Sequence, residues 1–274
     1  MRKTLAGAVK YTVIGILSLF ILVPLWDMLI NSFKNAQESA SPNISLPREW
    51  QLLENYSKVI EKGKVFPGFK NSLIITVSSV VTTLVVSTGA SFVFGRRKER
   101  WIRMVFYVFL IGIMTPPSMI ITTMMLKTMG FLGTYLGMIL FCTALFSPLP
   151  IFLLTGYMNT IPLEIEESAT MDGATPRHLL QRIVLPMMRP AIATGFIYIF
   201  LKVWNDFLSP VYLLAGNTKK YTIVMSLYFF MGQFYTQWNY VFAFLTLVSI
   251  PVIIVFIFAQ RQIAEGMTAG ALKG

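Results

Sequence analysis

Long apolar runs alternate with short polar links along the whole chain. Six of the runs, residues 11–30, 72–95, 102–124, 134–157, 191–214 and 240–259, are about as long as the roughly 20 helical residues that a hydrocarbon layer requires. The pattern predicts an all-α membrane protein with six transmembrane helices in one domain, 1–274, with a polar loop over 158–190 and a polar tail over 260–274. A further apolar piece, "YTIVMSLYFFMGQF" at 221–234, is too short to span and is expected to lie at the interface or re-enter. The first run is longer than a typical signal core and has no small-x-small site after it, so it is expected to be a retained helix.

Prolines interrupt the runs at Pro24, Pro116-Pro117, Pro148, Pro150 and Pro251. Each removes a backbone donor. The adjacent pair Pro116-Pro117 is the expected break, and the single prolines are expected to be ordinary kinks. Basic residues set the orientation. Arg2, Lys3 and Lys10 precede the first run, and Arg96, Arg97, Lys98, Arg100 and Arg103 crowd the short second link. The positive-inside rule places these, both termini and the 158–190 loop on the cytoplasmic side. The loop over 31–71, with mixed charges, falls outside.

Composition supports this reading. Hydrophobic residues make up 55% of the chain and charged residues 13%, against about 25% charged in soluble domains. The net charge of +11 lies between apolar runs and not on a soluble module, which argues against nucleic acid. Cys142 is the one cysteine and His178 the one histidine. An intramolecular disulfide, a multi-histidine metal site and a serine–histidine–acid set are therefore excluded. "GKVFPGFKNS" from Gly63 has Phe69 where a phosphate-loop lysine would stand.

The longest polar stretch is "EESATMDGATPRHLLQRIVLP". Pro162 suits a first helical turn, and Glu164, Glu166 and Glu167 suit the positive end of a helix dipole. Ile161, Ile165 and Ala169 form one narrow apolar stripe. Gly173 is a helix stop, Thr175 an N-cap and Pro176 the next first position. Leu179, Leu180, Ile183 and Val184 form the apolar face of a second helix, which Pro186 ends. The result is a helix–turn–helix whose small residues leave a low surface suited to docking.

Glu167-Ser168-Ala169, three residues, Gly173, nine residues, then Ile183-Val184-Leu185-Pro186 resembles the EAA loop of ATP-binding-cassette importer permeases. Asp172 and Ala174 also match, and Ser168 in place of alanine is the one departure. "NSFK" after the first run, Asn55-Tyr56, "NSL" at 71–73, "WNDF" at 204–207 and the ending "EGMTAGALKG" resemble the carbohydrate-uptake branch. The resemblance implies a type I importer permease fold in a bacterial or archaeal cytoplasmic membrane. It implies a second homologous permease, two ATPase subunits that bind ATP and Mg, an extracytoplasmic solute-binding protein and a sugar substrate. This chain is expected to hold no cofactor and to be no enzyme. The ATPase-coupling residues implied are Glu166, Glu167, Ser168, Ala169, Asp172, Gly173, Ala174, Ile183, Leu185 and Pro186.

Charges near the spans suggest a second site. Lys202 and Asp206 stand four apart and are expected to pair on one helix face. Trp204, Asn205 and Asp206 between and beside them could line a solute pathway. A secondary carrier or a non-sugar permease is the alternative function, and a non-transport scaffold is a third.

Overall fold

The computed structural model describes residues 2–214, 216–234 and 237–271. Among them the regular elements are helical. In chain order they are α1 (Arg2–Asn31), α2 (Ala36–Ser39), α3 (Leu52–Lys62), α4 (Val65–Arg96), α5 (Arg100–Met114), α6 (Met119–Thr128), α7 (Tyr135–Phe146), α8 (Pro148–Met158) and α9 (Leu163–Met171). Then come α10 (Pro176–His178), a π-turn (Leu179–Val184), α11 (Leu185–Met187), α12 (Arg189–Trp204), α13 (Leu208–Leu213), α14 (Ile223–Gln233) and α15 (Trp238–Ala271). Two compact units share the chain: Met1–Phe69 with Ile223–Pro251, and Lys70–Thr222 with Val252–Gly274.

Among the described residues three helices are long and apolar enough to cross a membrane by themselves: α1 over Lys10–Asn31, α4, and α15 over Trp238–Phe258. The other runs form bent pairs. α5 and α6 turn by 119° across a short gap, α7 and α8 by 49°, and the segment Pro176–Met187 meets α12 at 78°. The run over 102–124 is therefore two helices, broken at the expected Pro116-Pro117 pair. Pro116 and Pro117 supply no N–H to the carbonyls four residues earlier, so the α5 ladder cannot continue. The run over 134–157 divides at Ser147, where Pro148 opens α8 in the first turn. The run over 191–214 stops at Trp204 and resumes in α13. Pro24 and Pro251 remain inside unbroken helices. The 221–234 piece forms α14. The expected tail continues α15 as far as Ala271, and its last three residues lie outside the described ones.

In the first unit the sequence motifs act as stitches. The Lys34 ammonium is buried, and among the described residues no carboxylate pairs with it. It donates to Asn31 Oδ1 at 3.0 Å, Asn43 O at 2.7 Å and Asn43 Oδ1 at 2.9 Å. Asn55 donates to the Ser32 and Lys34 carbonyls at 2.8 and 2.9 Å and accepts from Asn239 Nδ2 at 2.8 Å. Phe33 stacks on Trp50 with ring centroids 5.7 Å apart, and the Ser32 hydroxyl meets the Tyr56 hydroxyl at 3.0 Å. "NSFK" and Asn55-Tyr56 thus fasten the 31–71 loop to itself and to the start of α15. Outside the spans, Lys58 meets Glu54 and Tyr240 at 2.6 and 2.9 Å, and these hydrogen bonds push its pKa up.

In the second unit α4 buries Thr76, Ser79, Thr83, Ser87 and Ser91 along one side. Small side chains let helix backbones approach closely where lipid gives no hydrophobic drive between helices. α8 packs on α5 and α12, and α13 on α6 and α7. Asn71 of "NSL" donates to the Lys219 and Tyr221 carbonyls at 2.9 and 2.8 Å and accepts from the Tyr135 hydroxyl at 2.8 Å.

Replacing Lys34 with methionine removes three hydrogen bonds of a buried ammonium, at a cost of about 2–3 kcal/mol. Faster proteolysis within 31–71 and a lower melting temperature are the expected results. Unchanged cleavage would show that the lysine does not hold the loop.

Candidate functional site

The loop over 158–190 builds a site from local rules. α9 ends in a full Schellman arrangement. Ala174 N donates to Ala169 O and Gly173 N to Thr170 O, both at 3.0 Å. Gly173 takes φ +85°, the left-handed conformation that this closure demands. Nothing lies within 4 Å of where its Cβ would be, so the backbone angle and not crowding selects glycine. Thr175 then caps the next segment, its Oγ1 accepting from His178 N at 3.3 Å.

The second helix is not a plain α-helix. Leu179–Val184 form a π-turn, and Leu185 N reaches back to Leu180 O. Pro186 does not end the helix as expected, but lies in the first turn of α11. The wider turn moves earlier carbonyls away from the proline ring, which would clash with the one four residues back in an α-ladder. Leu179, Val184 and Met188 enter a core with Leu154 and Met158, against which Ala169 and Ile183 also pack.

The apolar stripe expected on α9 is only partly right. Ile161 is buried, but Ile165 is exposed, and Glu166 takes the inward place at 6% exposure. A buried carboxylate needs a partner, and Arg96 at the end of α4 provides it. Arg96 Nε lies 2.7 Å and Nη2 2.5 Å from Glu166 Oε1. Nη2 also donates to Ile161 O at 3.1 Å. One residue earlier, a Cβ on Gly95 would come within 2.6 Å of Met158 Cγ. α4 is thus clamped to both the beginning of the loop and its first helix. Glu166 is spent on this internal tie and offers nothing to the surface. Arg96 was legible only as a topological charge, since its partner lies 70 residues away.

Glu167, Ser168, Asp172, Gly173 and Pro186 are exposed, and Ala169, Ala174, Ile183 and Leu185 half-buried. Met171 projects beside the glycine turn at 88% exposure, a residue not singled out from the sequence. Next to it opens a groove of about 410 Å³ lined by Ala169, Asp172, Gly173, Ala174, His178 and Ile183. An exposed apolar knob beside a groove of small residues can dock on another protein. Among the described residues no cluster of histidine, cysteine or acid could hold a metal.

The second group of expected site residues is rearranged. α12 stops at Trp204, so Lys202 and Asp206 do not share a helix face and form no ion pair. Asp206 turns to the next helix, with Oδ1 accepting from Ser209 N at 3.1 Å and Oδ2 buried without a partner among the described residues. Asn205 caps α12, its Nδ2 donating to Leu201 O at 2.9 Å, and is exposed. Trp204 is buried and stacked on Phe200 with centroids 5.7 Å apart.

The family model described as "binding-protein-dependent transport system inner membrane component" matches residues 65–269. The chain is 34% identical to an ABC transporter permease protein of Caldicellulosiruptor sp., over 92% of each chain. It is 29% identical to the diacetylchitobiose uptake system permease protein NgcG of Streptomyces coelicolor, over 97% of this chain and 89% of that one. Its fold is shared with a chain from the crystal structure of a bacterial ABC transporter involved in alginate import. The TM-score is 0.80, at 23% identity, over 94% of this chain and 96% of that one.

Replacing Arg96 with methionine leaves the Glu166 carboxylate buried and unpaired, which costs about 3–5 kcal/mol. Adding Glu166→Gln is expected to recover part of that loss. Additive losses in the melting temperature of the double variant would show that the two residues are not coupled.

Proposed function

The chain belongs to the binding-protein-dependent transport system inner membrane components, and from that premise we propose that it is one of two homologous permeases in an ATP-driven importer of a sugar or oligosaccharide. It is a multi-pass inner-membrane subunit without catalytic chemistry of its own. The observation that carries the proposal is the exposed tip of α9, with Met171 and the Gly173 groove held out on a buried ion pair. Such a tip suits a cleft in an ATPase subunit. Carbohydrate as the solute is supported by the relatedness to the diacetylchitobiose permease.

In this reading each permease docks one ATPase, and ATP and Mg are bound there. Both termini and the 158–190 loop face the cytoplasm, and a solute-binding protein delivers its sugar on the opposite side. Closure of the ATPases moves the docked loops. Arg96 conveys that movement to α4, while α8 and the α11–α12 bend convey it through the flanking chain. Moving the permeases from mostly inward-open to mostly outward-open needs about 5.5 kcal/mol of differential binding.

Gly173→Val forces a β-branched residue into the left-handed region, at roughly 1–2 kcal/mol, and places bulk at the groove. The variant is expected to insert normally while ATP-dependent uptake drops about tenfold or more. The measurement is uptake in cells together with co-purification of the ATPase and the second permease. Uptake at the unmodified rate would remove the docking role from this tip, and a chain that transports without any ATPase would identify a secondary carrier.

A further inference from the structure

We infer that a cavity of about 370 Å³ beside the Pro116-Pro117 break is a solute-contact site of this chain, and that the solute unit it takes is an acidic sugar bearing a carboxylate. The inference rests on the importer function proposed above and names the chemistry of its substrate.

The cavity forms where two helix breaks face α12. Thr115, Pro116 and Pro117 come from the gap after α5, Pro148 from the α7–α8 junction, and Tyr198 and Lys202 from α12. Its size falls within the range of about 300–1,000 Å³ usual for small-molecule sites. Part of its polar lining has no partner among the described residues. In an unbroken helix the carbonyls of Gly112 and Ile113 would accept from residues 116 and 117, but both are proline and have no N–H to give. The Thr115 hydroxyl serves the Ile111 carbonyl at 3.0 Å. Gly112 and Ile113 both line the cavity, so two carbonyl acceptors without their helical donors stand at its wall, suited to sugar hydroxyls. The Tyr198 hydroxyl has no hydrogen-bond partner among the described residues, and its ring offers an apolar face.

Lys202 sets the charge. The end of α12 at Trp204 has taken Asp206 away to cap α13. Among the described residues no carboxylate lies within 4.0 Å of the Lys202 ammonium. The contact it does make is with the Tyr198 ring, 6.0 Å from the centroid. The residues lining the cavity include no acid. Lys202 is exposed in this chain, and an ionisable side chain within an apolar segment is rare and marks a functional position. Closing this cavity on a neutral sugar would desolvate the ammonium with no counter-charge. A sugar carboxylate supplies that counter-charge through a charge-assisted hydrogen bond, while the ring hydroxyls reach the freed carbonyls. Lys202 and Tyr198, more than Trp204 and its neighbours, are then the solute-reading residues.

The test uses the assembled importer complex in phosphatidylcholine nanodiscs, with digalacturonate and a neutral disaccharide as probes. Acetylation of Lys202 is followed by mass spectrometry, with Lys219 and Lys220 as internal references. Digalacturonate is expected to slow labelling of Lys202 about tenfold, and Lys202→Met to weaken digalacturonate binding by a similar factor, while Lys202→Arg retains it. Equal protection by both sugars, or by neither, overturns the inference. So does a Lys202 that is shielded before any sugar is added, which would assign its counter-charge to the second permease. Protection that requires anionic lipid instead of digalacturonate overturns it in favour of a headgroup. A complex that takes up sugar with ATP but fails these arms leaves the importer function standing, whereas failure of the ATPase to co-purify removes that function itself.

Discussion

Inside an apolar slab a backbone carbonyl without a donor has no water to turn to, and the second unit is shaped by how each helix end meets that demand. Thr115 returns its hydroxyl to Ile111 O where prolines cut α5, and Asn205 returns its amide to Leu201 O where α12 stops. Phe131 N closes on Leu126 O at 2.8 Å after α6, through a glycine at φ +76°. Gly133 N donates to Leu213 O at 2.8 Å, and Lys220 Nζ donates to Gly133 O at 2.7 Å. Because the ends are closed locally, the chain can bend by 119°, 49° and 78° without leaving most of its polar backbone stranded. Where the closure is incomplete, beside Pro116 and Pro117, a cavity forms.

The Arg96–Glu166 pair extends the same economy to side chains. It places a carboxylate in a buried position that geometry alone would give to an apolar residue, and it joins two elements far apart in sequence. The sequence-adjacent helices α8 and α12 hold the loop through ordinary packing of Met158, Val184 and Met188. The ion pair adds a directional contact to α4, whose small buried side chains bring it close to its neighbours. A push on the loop therefore reaches helices on more than one side.

What was legible in the sequence was what local chemistry decides. Gly173 and Thr175 announce a stop and a start because the left-handed turn and the cap are each made by residues within five positions. Pro116-Pro117 announces a break because two missing donors in succession cannot be bridged. Glu166 was misplaced because its burial depends on Arg96, and helical periodicity carries no information about a partner 70 residues away. The Lys202–Asp206 pair failed for a related reason: spacing assumes a continuous helix, and α12 ends between the two. The π-turn left no trace either, since Leu179–Val184 has the amphipathic pattern of an ordinary α-helix.

That π-turn sets the aim of the tip by a whole number. An α-helix advances about 100° per residue, and a π-turn holds one residue more than the ladder needs. The direction in which Gly173 and Met171 face, relative to α12, therefore depends on how many residues lie between them as well as on the Arg96–Glu166 clamp. Taking one residue out of Leu179–Val184 would let an ordinary ladder close and would turn its register by about 100°, setting the tip against the Arg96–Glu166 clamp, whereas exchanging one apolar residue for another leaves the register alone. For this loop, length is inherited information in the way that a side chain is elsewhere: substitutions adjust the fit, and a one-residue deletion changes the address.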